Sequence, residues 1–156
     1  LSQLNFYPLV NLAQRIVPGS ESAHQHIRLL SPAALAYLGD AVYELHMRAY
    51  YLTPPSRMQE YHGRVVKQVR AEAQANCVRQ ILPRLTDEEQ TLLKKGRNAA
   101  TGCPKRLSPD IYRQATALET LIGYLYLTNP PRLQEVLQWC LAVESTHEGS
   151  PALGEL

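Results

Sequence analysis

The chain has 156 residues, 45% apolar and 19% charged, with 16 Lys/Arg against 14 Asp/Glu for a formal net charge of +2. This suits one soluble globular domain with a sizeable core. The longest apolar run, Leu118 to Leu127, is too short to span a bilayer and contains Glu119. The three cysteines, Cys77, Cys103 and Cys140, lack zinc-ligand spacing and read as reduced thiols of a cytosolic protein. Leu1 to Val17 shows no export signal. Charge is unevenly placed: Arg57–Arg113 holds 12 Lys/Arg against 6 Asp/Glu, and the remainder 4 against 8. An anionic partner would sense that regional excess.

The periodicity predicts an all-α fold without internal repeats. A helix around Leu4–Ile16 is followed by a Pro18-Gly19-Ser20 break and a loop holding His24 and His26. Ser31-Pro32 is an N-cap followed by a first-turn proline, opening a helix to about Leu52 that Thr53-Pro54-Pro55 stops. A second long helix is expected from Ser56 to Leu82, with Gly63 as the candidate point for a break. Thr86-Asp87-Glu88-Glu89 is a capping box for a short helix to Lys95. Gly96–Leu107 reads as a loop, Ser108-Pro109 opens a helix to Leu127, and Asn129-Pro130 one to Glu144. Residues 1–30 are taken as an N-terminal extension, 31–144 as the domain and 145–156 as a frayed tail.

Two helices place carboxylates in apolar runs, which is costly unless the charge is paired or holds a metal. On the first, Leu35, Leu38, Val42, Leu45, Ala49 and Leu52 form an expected core stripe. Tyr37, Asp40, Glu44, Arg48 and Tyr51 lie opposite. Asp40 and Glu44 are i,i+4 neighbours whose repulsion a divalent cation would relieve; the bland alternative pairs Glu44 with Arg48. A mid-helix aspartate preceded by Gly39 combines two weak helix formers and implies close packing. On the second helix, Glu119 shares its face with Tyr112, Ala115, Thr116, Gly123 and Tyr126. A desolvated glutamate there needs a partner, either an arginine or a metal shared with Asp40. Hard oxygen ligands from two helices suit magnesium. His46 and His62 are scattered and read as structural.

These residues carry a resemblance. Tyr37-Leu38-Gly39-Asp40-Ala41-Val42 resembles the signature helix of ribonuclease III endonuclease domains, and Leu118-Glu119-Thr120-Leu121-Ile122-Gly123-Tyr124-Leu125-Tyr126-Leu127 resembles their second acidic helix. Tyr61-His62, Lys94-Lys95-Gly96-Arg97-Asn98-Ala99 and Tyr112-Arg113-Gln114-Ala115-Thr116 extend the likeness over about Leu30 to Ala142. It is strongest to mini-ribonuclease III, which has the endonuclease domain without a double-stranded-RNA-binding domain. Full-length relatives carry further acids at the positions of Ala33, Ala36 and Thr116; the mini family lacks them and has the downstream acid seen here as Glu44.

The resemblance implies a homodimeric, cytoplasmic endoribonuclease that hydrolyses double-stranded RNA with Mg2+, leaving 5′-phosphate and 3′-hydroxyl ends. It also implies the precursor of large-subunit (23S) ribosomal RNA as substrate. Asp40 and Glu119 carry over as catalytic metal ligands, and Glu44 as a further catalytic acid. Phosphate contacts are assigned to Lys67, Arg70, Lys94, Lys95, Arg97, Lys105 and Arg106, with Asn98 either contacting RNA or capping its helix. A-form duplexes are recognised chiefly by shape, which suits this set. The rival reading is a non-cleaving RNA-binding module of the same fold.

Overall fold

The computed structural model describes residues 21–145, with side chains from 25 to 143. The expected helix at Leu4–Ile16, the break after it and nearly all of the 145–156 tail lie outside those residues. The described residues form seven α-helices and no strand: α1 Glu21–Leu29, α2 Pro32–Tyr51, α3 Met58–Val69, α4 Ala71–Ile81, α5 Asp87–Ala99, α6 Pro109–Thr128 and α7 Pro130–Ser145. A short 3-10 turn, Leu82–Arg84, links α4 to α5.

The capping signals set the helix starts. The Ser31 side chain accepts from Ala34 N at 3.1 Å, and Ser108 plays the same part for α6. Asn129 Oδ1 accepts from Arg132 N at 3.2 Å at the head of α7. Both halves of the Thr86/Glu89 capping box are present.

Helix α6 is the hub. Its Ala115, Ala117, Leu118, Thr120, Leu121, Ile122, Leu125 and Tyr126 are all buried, as expected of a helix apolar on nearly every side. Helices α2, α4, α5 and α7 pack around it, and α1 touches it. The buried Ile27 shows that α1 contributes to the core.

Three expectations about the helix boundaries change. His24 and His26 lie in α1 rather than in a loop. The 56–82 helix breaks at Arg70, not Gly63: Arg70 is extended (φ −65°, ψ 151°). Gln74 Nε2 donates to the Val69 carbonyl, freed by the break, at 3.0 Å, so the interruption leaves no orphan there. Helix α5 runs through Gly96 to Ala99, because that glycine lets α5 lie against Thr120 and Ala117 of α6.

The core face of α2 is rotated from the expected stripe. Leu35, Ala36, Gly39, Val42, Tyr43, His46 and Met47 are buried, whereas Leu45 and Leu52 face outward. The expected stripe followed the bulky residues; the true face follows the glycine that touches α6.

The cysteines also depart from expectation. Cys77 of α4 and Cys140 of α7 form a disulfide with Cα atoms 5.2 Å apart, while Cys103 is free. The 63-residue separation concealed a pairing that only helix packing creates.

One ion pair fastens the far side of the bundle. Arg132 donates to both Glu89 oxygens, at 2.8 and 2.9 Å, and to the Arg84 carbonyl at 3.0 Å. Its guanidinium lies 4.8 Å from the Trp139 ring centre. The Arg132 hydrogen bonds hold the Glu89 carboxyl below its ordinary range despite burial.

Candidate active site

Helices α2 and α6 touch backbone to backbone. A methyl group at Gly39 would stand 1.8 Å from the Glu119 carbonyl oxygen and 2.8 Å from Gly123 N. One at Gly123 would stand 2.0 Å from the Leu35 carbonyl oxygen. No real Cβ tolerates such distances, so the two glycines permit the crossing. Thr120 supports it, its Oγ1 lying 3.3 Å from the Pro32 carbonyl and 2.8 Å from its own helix at Thr116.

The crossing delivers Asp40 and Glu119 to one cavity of about 370 Å³. Gln74, Tyr37, Thr101, Leu107, Tyr112 and Ala115 also line it. So do Ala33, Ala36 and Thr116. Burial, then the Asp40 charge, push the Glu119 carboxyl up to about 7, while a Gln74 side-chain hydrogen bond pulls the other way. Burial and then the Glu44 charge raise Asp40 as well. Two acids in this state repel one another and favour a shared cation.

The donor set fits a hydrated magnesium ion. Two carboxylates converge, and Gln74 Oε1 is buried without a hydrogen-bond partner. Among the described residues there is no group of three or more His, Cys, Asp or Glu arranged for a metal. Water and phosphate oxygens would have to complete the coordination, which is magnesium's habit.

Glu44 stands apart. It accepts from Arg48, with Nε at 3.1 Å and Nη2 closer still, and is absent from the cavity wall. Its charge is nonetheless felt at Asp40. His46 is buried in the core, and burial lowers its imidazole to about 4; His62 is exposed on α3.

The basic residues divide into groups. Lys94, Lys95, Arg97 and Asn98 are exposed on α5, and Lys105 and Arg106 on the loop that follows. Asn98 is not the helix cap; Ala100 is. Arg97 lies 3.5 Å from Asp110 across the loop, and Tyr112 Oη donates to the Thr101 carbonyl at 2.9 Å. The loop is thereby held beside the acidic cavity, whose wall includes Ala99, Ala100, Thr101 and Leu107. Lys67 lines a separate hollow with Pro54, Ser56, Glu60, Gly63 and Arg64. Arg70 is exposed at the α3–α4 break.

Sequence reasoning missed Gln74. A continuous helix through Arg70 puts it in the wrong phase, and a lone glutamine resembles any surface residue.

Two helices joined at glycines, an acid on each and a cationic loop at the rim define a ribonuclease III endonuclease domain, and residues 33–130 match the family described as Ribonuclease III domain. The chain belongs to this family of endoribonucleases, in its mini-ribonuclease III branch. It is 51% identical over 135 residues to the Mini-ribonuclease 3 of Thermosynechococcus vestitus, covering 86% of this chain and 84% of that one. To the Mini-ribonuclease 3 of Synechocystis sp. it is 54% identical over 111 residues, covering 71% and 78%. A crystal structure of a Fusobacterium nucleatum protein superposes with a TM-score of 0.69 at 30% identity, covering 78% of this chain and 97% of that one.

Proposed function

We propose that this endoribonuclease hydrolyses phosphodiester bonds of double-stranded RNA with magnesium held between Asp40 and Glu119. The observation that carries the reading is the convergence of those two acids in one cavity at the Gly39–Gly123 crossing. Bound there, magnesium supplies a lowered pKa for water and charge stabilisation on phosphoryl oxygens. The protein's own residues do the rest. Asp40 and Glu119 hold the cation, and the half-buried setting of Glu119 keeps the local dielectric low. Glu44 would act indirectly, through its charge on Asp40 and its hold on Arg48.

Lys105 and Arg106, with Lys94, Lys95, Arg97 and Asn98 on α5 and Arg70 between the cavity-wall residues Val69 and Ala71, would grip the phosphate backbone beside the cavity, and Lys67 another stretch. Such contacts position a duplex without reading its sequence. The products would be 5′-phosphate and 3′-hydroxyl ends. The substrate we infer is the cytoplasmic precursor of large-subunit (23S) ribosomal RNA, the role of the mini branch.

A homodimer completes the reading, since cutting both strands needs two centres. Tyr37 is 87% exposed on α2, and Leu45, Leu52 and Met58 also face outward. Exposed apolar side chains of this kind are what a partner subunit would cover.

The test is incubation of the protein with a long RNA duplex, with and without magnesium, followed by end analysis. Magnesium-dependent cuts bearing 5′-phosphates, abolished by Asp40→Asn or Glu119→Gln with duplex retention kept, are expected. Retention of the duplex without any cut under all conditions would support a non-cleaving RNA-binding module instead.

A further inference from the structure

We propose that Gln74 is a positioning residue for the acidic pair, its amide tied to the Val69 carbonyl so as to aim the Glu119 carboxylate at the cation shared with Asp40. This rests on reading the pair as a cation site. The argument begins at the break between α3 and α4. Extended Arg70 frees the Val69 carbonyl, and Gln74 Nε2 reaches back to it at 3.0 Å. A carbonyl accepts only, so the NH2 group must face Val69, and this fixes which end of the amide points where.

An NH2 group has two hydrogens. One goes to Val69, and the other is left in the cavity whose wall Gln74 shares with Glu119 and Asp40. Gln74 is 2% exposed and lines the cavity with both acids. Its side chain is therefore confined, with a fixed orientation at the wall it shares with the two acids. The remaining atom, Oε1, is buried and has no hydrogen-bond partner. An unsatisfied buried acceptor is costly unless something fills the need. Water surrounding a hydrated divalent cation is a donor of the right kind. Groups that orient a metal's ligands in this way commonly set metal affinity.

The experiment is a Mn2+ titration followed by electron paramagnetic resonance of the free ion, on the full chain without RNA. Gln74→Met keeps the length and removes both amide functions; Gln74→Ala is the second variant if methionine fails to pack. About 10-fold weaker Mn2+ binding is expected, with the helical signal and metal-free duplex retention unchanged. Wild-type affinity in a folded Gln74 variant, alongside loss of binding in Asp40→Asn and Glu119→Gln, would overturn the role of Gln74 and leave the cation site standing. Unchanged binding in the two acid variants would overturn both. A measurement on the unmodified protein needs no Gln74 variant: the Gln74 side-chain amide resonance should shift on Mg2+ addition and stay still in Glu119→Gln. A resonance that ignores Mg2+ in the wild type sinks the proposal.

Discussion

Gly39 lies so close to Glu119 that a methyl group on the former would penetrate the carbonyl of the latter, at 1.8 Å. The acids at 40 and 119 are therefore placed by main chain, not by side-chain reach. Gly39→Ala must drive α2 and α6 apart, at a cost of at least about 3 kcal/mol, above the ~1–3 kcal/mol usual for an overpacked core. Cleavage should fall to background. Gly63 is the control, because a methyl there meets nothing within 4 Å. Gly63→Ala should stabilise α3 by roughly 0.5–1 kcal/mol through helix propensity. Urea melts of both variants check the pair.

A half-buried carboxyl and a buried imidazole set opposing pH slopes in metal-free buffer. Glu119 titrates near 7 when folded against 4.5 ordinarily, so its contribution to stability is complete below 4.5 and is lost as pH rises through about 7. His46 titrates near 4 against 6.5, so its contribution is complete above 6.5 and is lost as pH falls through about 4. At about 1.4 kcal/mol per pKa unit, each is worth ~3 kcal/mol. They nearly cancel between pH 4.5 and 6.5. Glu119→Gln should expose the His46 slope, so that stability climbs with pH across that window where the wild type stays level. Denaturant midpoints at half-unit pH steps decide it, and a level profile for the variant would contradict the assignment.

Magnesium should act on the same balance from the other side. By neutralising the repulsion between Asp40 and Glu119 it should raise the melting temperature most above pH 7, where Glu119 has lost its proton and the bare pair is least comfortable. At magnesium a hundredfold above its dissociation constant the gain is about 2.7 kcal/mol. Chelation should reverse it, and Asp40→Asn should be indifferent to the ion. Thermal melts with and without EDTA give the answer.

The loop cations should affect grip rather than chemistry. Lys105→Ala with Arg106→Ala should weaken duplex retention for all sequences alike. The slope of log affinity against log salt should shrink by about one for each phosphate contact removed. Single-turnover cleavage at saturating RNA should change far less. A variant with wild-type salt dependence would show that the loop lies off the RNA path.

Arg132→Met should test the distant clamp. It leaves Glu89 buried without its cation, costing roughly 3–5 kcal/mol, and adding Glu89→Gln should recover part of that loss. Equal stability of the single and double variants would show that no charge was stranded.

The legible parts of this molecule were those written in short-range chemistry. Ser31, Thr86, Ser108 and Asn129 announced the helix starts because a cap is a contact between residues three apart. Asp40 and Glu119 stood out because aspartate after glycine, and glutamate among small residues, are poor helix choices without a reason. Features made by contacts across the bundle left no such trace. The α2 core face follows the Gly39 crossing rather than the bulky side chains, and that crossing is invisible within the helix itself. Gln74 was invisible while α3 and α4 were read as one rod. Cys77 and Cys140 meet only because α4 and α7 pack together.

The bond from Tyr112 to Thr101 has a mechanical meaning. Tyr112 and Glu119 ride two turns apart on α6, and the bond ties the cationic loop to that same rod. In the proposed function, grip and scission would share a single lever. The spacing between a clasped phosphate and a severed one would then be built in as a ruler, whatever bases the strand carries.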